Sequence, residues 1–161
     1  MSNASINLIP VHVRVDVTNL SNEKYNLFAE LAERISISLD TQIDARTIQK
    51  ALIDRESLGT TGFENGLAIP HGQIPELSHA SIFFFRLKQE VDWEALDGKK
   101  VDTIFVLLVP KEEKENTHLT LLSSLSYHLL DESYQWKLKT EKNPEIIHEI
   151  IKRMLTKEEM A

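Results

Sequence analysis

The sequence predicts an α/β sandwich, a single domain with a mixed central β-sheet flanked by helices on both faces. Three observations lead there. Val11, Val13, Val15 and Val17 alternate with His12, Arg14, Asp16 and Thr18, a period-two pattern that reads as a strand with one wet face. Two later runs, Ala80 to Leu87 and Ile104 to Val109, are apolar on both faces, as central strands covered from both sides must be. Between and after these runs lie segments of helical period, so strands and helices interleave.

The elements follow in order. Ser21 is placed to cap a helix running to about Ser36, with Tyr25, Phe28, Leu31, Ala32 and Ile35 on one stripe. Asp44 caps a second helix with Ile48, Ala51, Leu52 and Arg55 on one face. A polar, glycine-containing loop, Gly59 to Asn65, leads into Leu67–Ile69, which reads as a buried strand end. Pro70 lacks an N–H and stops the ladder there, leaving His71 at the strand end. Gly72 then allows a sharp turn or a close approach to a ligand. Asp97-Gly98 marks a turn between the two central strands. Lys111 to Glu115 reads as a solvated loop, and Asn116 or Thr117 opens a third helix with His118, Leu122, Leu125 and Leu129 in one stripe. Asn143-Pro144 opens the last helix, asparagine as cap and proline in the first turn, with Ile147, Ile150, Ile151 and Met154 inward.

Composition removes several function classes. The 161 residues fit one domain with a sizeable core, expected over residues 5–157. Residues 1–4 read as an N-terminal tail or expression scar and 158–161 as a C-terminal tail. A net charge of −7 with no basic cluster argues against nucleic acid as a partner. No apolar run reaches the length of a membrane span and no signal peptide is evident, so a cytoplasmic protein without membrane insertion is expected. Cysteine is absent, which excludes disulfides, thiolate zinc sites and a cysteine nucleophile.

Of the six histidines, His12 and His148 read as structural or surface residues, His79 as exposed, and His128 as partly buried or at a helix edge. His71 differs through its neighbours: an imidazole at a strand end beside a loop rich in small donors suits a visiting reactant. His118 falls in a helix first turn, where unpaired N–H groups and the helix dipole welcome an anion; the alternative is a histidine that caps the core. Arg55 offers a planar fork for phosphate oxygens, or else serves as a helix C-terminal cation or in a salt bridge with Glu56 or Asp54. A His71–His118 metal pair lacks a third ligand at recognisable spacing. Neither a Gly-x-Ser-x-Gly elbow nor a Gly-Lys-Ser/Thr phosphate loop occurs.

Taken together, the stretch Arg55-Glu56-Ser57-Leu58-Gly59-Thr60-Thr61-Gly62-Phe63-Glu64-Asn65-Gly66-Leu67-Ala68-Ile69-Pro70-His71-Gly72 resembles the signature of fructose/mannitol-type enzyme IIA domains of the bacterial phosphoenolpyruvate-dependent sugar phosphotransferase system. Val91 to Gly98, Val101 to Pro110, Thr117-His118-Leu119 and Leu121 to Ser126 resemble later family segments in the same order, so that the likeness spans about residues 6 to 153. Glu64 and Gln73 depart from it, standing where many members carry glycine and lysine, and bear on the choice of partner.

The resemblance implies a phosphotransferase component with a phosphohistidine intermediate and no metal or other cofactor. His71 would accept a phosphoryl group from phospho-HPr on Nε2 and pass it to an enzyme IIB domain, coupled in turn to the membrane permease IIC. His118 would stabilise the phosphoryl group, and Arg55, with loop N–H groups, would neutralise its charge. Without a cysteine or a spanning segment, IIB and IIC are expected on separate chains. The alternative is a nitrogen-related IIA-type protein that binds and controls other proteins according to its phosphorylation state. Trp93 and the Leu122–Ser126 pattern resemble the sugar-type members.

Overall fold

The computed structural model describes residues 9–39, 42–111 and 117–156, with side chains from 119 in the last segment. The expected domain limits at residues 5 and 157, both tails, the cap at Asn116 and most of the Lys111–Glu115 loop lie outside the described residues. The chain runs β1 (Val11–Val17), α1 (Lys24–Ser38), α2 (Ala45–Glu56), β2 (Leu67–Ala68), β3 (His71–Ile74), β4 (Ser81–Val91), β5 (Val101–Pro110), α3 (Thr117–Leu129), α4 (Glu132–Thr140) and α5 (Pro144–Thr156).

The five-stranded sheet has the order β1-β4-β5-β2, with β3 also paired to β5. β4 and β5 are antiparallel; β1 joins β4, and β2 and β3 join β5, in parallel, so the sheet is mixed as expected. The two doubly apolar runs are its centre. Alternation along them sends Phe83, Phe85, Ile104, Val106 and Leu108 to a core shared with α1 and α2. Ile82, Phe84, Phe105, Leu107 and Val109 go to a second core under α3, α4 and α5. Helices therefore cover both faces.

Several local expectations are corrected. The valine alternation in β1 does not keep one face throughout: Val11 and Val13 enter the α3–α5 core, but Val17 enters the α1–α2 core. A register shift between Arg14 and Val17, with Asp16 at φ 54°, inserts the half-step that flips the phase. Helix α1 is capped by Glu23, whose carboxylate accepts from the amides of Tyr25 and Asn26; Ser21 instead braces the preceding turn by accepting from the Glu23 amide. Among the described side chains of α3 the fully buried ones are Leu121, Leu125 and Leu129, while Leu122 lies at the margin. Helix α4 is absent from the sequence reading. It is nine residues long and buries only Gln135 and Leu138, so it has no stripe to detect. Its start is nevertheless marked by Asp131, which caps the Ser133 amide. The caps at Asp44 and Asn143 are as expected.

Candidate active site

His71 does not end a strand but begins one. Pro70 separates β2 from β3 because it cannot donate to the ladder, yet its carbonyl still accepts from the Leu107 amide. His71 then pairs with Leu107 as the first residue of β3. Gly72 does not turn the chain; it continues β3 at the wall of a cleft, directly under α2. A Cβ there would stand 2.9 Å from the Cβ of Ala51, so glycine is what lets α2 lie directly on β3. Arg55 is one turn further along α2 than Ala51, and this close packing carries it over His71.

His71 Nδ1 lies 3.0 Å from the Ile69 carbonyl oxygen, which can only accept. Arg55 Nε lies 3.0 Å from Nε2 and can only donate. The ring is therefore neutral, with its proton on Nδ1 and its lone pair on Nε2. The same guanidinium reaches back through Nη1 to the Gly59 carbonyl at 2.9 Å, which ties it to the start of the loop. Arg55 thus forms neither ion pair considered from the sequence: Asp54 pairs with Lys50 at 2.7 Å and Glu56 with Lys24 at 3.1 Å. His71 is half-buried at the wall of an open cavity of about 400 Å³ lined also by Arg55, Leu58, Gly72, Gln73 and Leu107. Leu58 is 83% exposed at its rim.

Most amides of the glycine-containing loop serve to hold the loop itself. The amides of Gly59, Thr61, Gly62, Phe63 and Asn65 donate to the Glu56 carbonyl, the Glu56 carboxylate, Thr60 Oγ1, the Leu67 carbonyl and the Asp97 carboxylate. These expected anion donors are spent on the loop itself. Gly62 is required there, because a Cβ would stand 2.6 Å from Ala95. The two departures from the family pattern separate. Gln73 lines the His71 cavity, whereas Glu64 accepts from Gln135 Nε2 at 3.0 Å and ties the loop to α4. Sequence reasoning missed Glu56, Thr61 and Gln135; burial of a carboxylate, a hydroxyl and an amide leaves no periodic signal.

His118 lies in the first turn of α3, as expected; its side chain lies outside the described residues. His128 is buried rather than at an edge, with Nδ1 on the Ser124 carbonyl at 2.9 Å. His12 stacks on Phe83 and His79 is exposed. Trp93 is a core residue packed edge-on against Phe28, so it serves the fold. Among the described residues, no group of three or more His, Cys, Asp or Glu side chains is placed to hold a metal ion, and no helix is long and apolar enough to cross a membrane.

Residues 12–154 match the family described as phosphoenolpyruvate-dependent sugar phosphotransferase system, EIIA 2. The chain belongs to this family. Within it, the chain is 35% identical over 130 residues to a nitrogen regulatory protein of Bradyrhizobium diazoefficiens, covering 81% of this chain and 83% of that one. It is 33% identical over 131 residues to the fructose-specific EIIABC component of Bacillus subtilis, covering 81% of this chain but 20% of that longer one. The crystal structure of the nitrogen regulatory protein IIA-Ntr from Neisseria meningitidis superposes with a TM-score of 0.74 at 32% identity, over 91% of this chain and 94% of that one. For this IIA-type chain, the nitrogen regulatory relatives match along most of their own length.

Proposed function

We propose that this chain is a phosphohistidine-bearing regulatory IIA protein: it takes a phosphoryl group onto His71 Nε2 and binds other proteins according to whether that group is present. One observation carries the acceptor assignment. The Ile69 carbonyl fixes the proton on Nδ1, so the nucleophilic lone pair is on Nε2, beside an open cavity and an arginine. Likeness over nearly the full length of nitrogen regulatory proteins supports the regulatory reading.

In the resting state Arg55 Nε–H occupies the Nε2 lone pair. Phosphoryl transfer requires this group to swing aside. The lone pair then forms the N–P bond as the P–N bond of the donor's phosphohistidine breaks; that electron pair returns to a donor ring protonated on its other nitrogen, which leaves as neutral imidazole, while His71 keeps its Nδ1 proton against the Ile69 carbonyl. The displaced guanidinium is within a side chain's reach of the new phosphoryl oxygens and neutralises them. His118, in the α3 first turn, is assigned the second donor to those oxygens. Loss of one such donor costs about 2.7–4 kcal/mol of transition-state stabilisation, two to three decades in rate.

The test is incubation with enzyme I, HPr and phosphoenolpyruvate. One acid-labile phosphoryl group is expected, absent in His71→Ala and slow to form in His118→Ala and Arg55→Ala. Phosphate retained by His71→Ala refutes the acceptor. A second reading, a carrier to a separate IIB domain and so to sugar uptake at IIC, is favoured by the fructose-specific relative. Rapid passage of the phosphoryl group to a fructose-type IIB, followed by sugar phosphorylation with IIC, would decide for it.

A further inference from the structure

Glu56 follows Arg55 at the end of α2, and the two side chains leave the helix in different directions. Arg55 goes to the cavity. The Glu56 carboxylate is fully buried, with no side-chain exposure. It accepts from Lys24 Nζ at 3.1 Å, from the Thr61 amide at 2.8 Å and from Thr61 Oγ1 at 2.5 Å. Lys24, itself 7% exposed, also donates to the Trp93 carbonyl at 2.9 Å. The start of α1, the end of α2 and the loop meet at this one carboxylate, and Lys24 joins the segment after β4 to it. Removing two charges from water costs more than such a pair usually returns in stability. What the pair does supply is a defined position for Thr61, which both donates to Glu56 and, through its carbonyl, accepts from the Ile69 amide at 3.0 Å. Ile69 in turn presents the carbonyl that binds His71 Nδ1.

We infer that Glu56 is a positioning residue: through Thr61 and Ile69 it holds the acceptor for Nδ1–H and so keeps the His71 lone pair on Nε2. Consecutive residues at one helix end then control both ring nitrogens, Arg55 directly and Glu56 through the loop. The functional consequence rests on His71 being the phosphoryl acceptor; the effect on the ring does not.

The experiment reads the ring itself, by long-range ¹H–¹⁵N NMR of the full chain labelled at histidine. Wild type is expected to show His71 wholly in the Nδ1–H form. Glu56→Gln is made together with Lys24→Met, so that no charge is left buried alone. In this double variant the two ring nitrogens are expected to shift toward each other as the tautomers exchange. Phosphorylation by phospho-HPr should slow by roughly 10- to 100-fold, as when an outer partner that orients a functional imidazole is lost. Thr61→Val, which removes only the hydroxyl donor, should shift the ring the same way and Thr61→Ser should restore it. That series decides the matter should the double variant not fold. A folded variant whose His71 remains wholly in the Nδ1–H form overturns the inference. A wild type that takes up no phosphoryl group, yet whose ring responds as described, overturns the acceptor reading alone.

Discussion

Gly72→Ala tests how the fold delivers Arg55 to His71. The added Cβ would meet Ala51 at 2.9 Å from Cβ, 3.2 Å from the carbonyl carbon and 3.3 Å from the carbonyl oxygen. Carbon atoms rest about 3.5–4.0 Å apart, so α2 and β3 must separate by about 0.6–1.1 Å. Two of the three contacts are helix backbone, which no rotamer change relieves. Overpacking of this kind costs about 1–3 kcal/mol, and alanine recovers roughly 0.4–1 kcal/mol by restricting the unfolded chain. A net loss of up to about 2.6 kcal/mol is expected, read as a lower urea midpoint at constant m. The Arg55–His71 bond, at 3.0 Å, has about half an ångström of slack before it ceases to be one. The same separation therefore breaks it, and both the Nε2 resonance and the phosphorylation rate should change. Ala51→Gly in the same chain removes the 2.9 Å contact, at a helix-propensity cost of about 1 kcal/mol. It should restore the ring bond more than the stability. Wild-type stability together with an unmoved Nε2 signal in Gly72→Ala would refute the argument that this glycine sets the helix height.

Other outcomes follow from the same geometry. Asp44→Ala removes the acceptor of the Arg46 amide at the far end of α2 and should cost about 1 kcal/mol in urea unfolding, leaving phosphorylation of His71 near wild type. Asp97 is held below the ordinary carboxylate range, first by the Asn65 amide and then by that of Lys99. Its folded pKa is depressed, so its stabilising contribution is present above the unfolded value and is lost as pH falls through the folded one. The Asn65 amide resonance should accordingly titrate below about pH 3.9, and Asp97→Asn should give the low-pH shift at neutral pH. Gly66→Ala combines a φ of 83° with a Cβ 2.5 Å from Lys139 Nζ. It should displace the Lys139–Asp102 pair and lower stability by roughly 1–3 kcal/mol, checked by thermal unfolding.

The sheet, its two covered faces and four of the five helices were legible in the sequence because each rests on a period. Alternation in Phe83–Phe85 and Ile104–Val109 can be buried only between two layers, and the stripes of α1, α2, α3 and α5 need a sheet to lie on. Asp44 and Asn143 mark helix starts by bonding amides two residues on, an interaction wholly local to the chain. The run from Arg55 to Gly72 likewise singles out His71 and Arg55 as neighbours in one local segment. Position, however, came from contacts distant in sequence. Helix α4 exists because Leu138 and Gln135 meet other elements, not because its own residues form a stripe. The phase flip in β1 needed Asp16 in a left-handed conformation, which no alternation encodes. At the site, the sequence alone left Arg55 free to pair with a carboxylate. Only the packing of Gly72 against Ala51 turned it onto Nε2, while Glu56 was drawn inward by Lys24, 32 residues earlier. The candidate histidine, His71, was thus marked by one short segment. Which of its nitrogens carries the lone pair was decided in three dimensions, because a ring tautomer is set by the donors and acceptors that surround it.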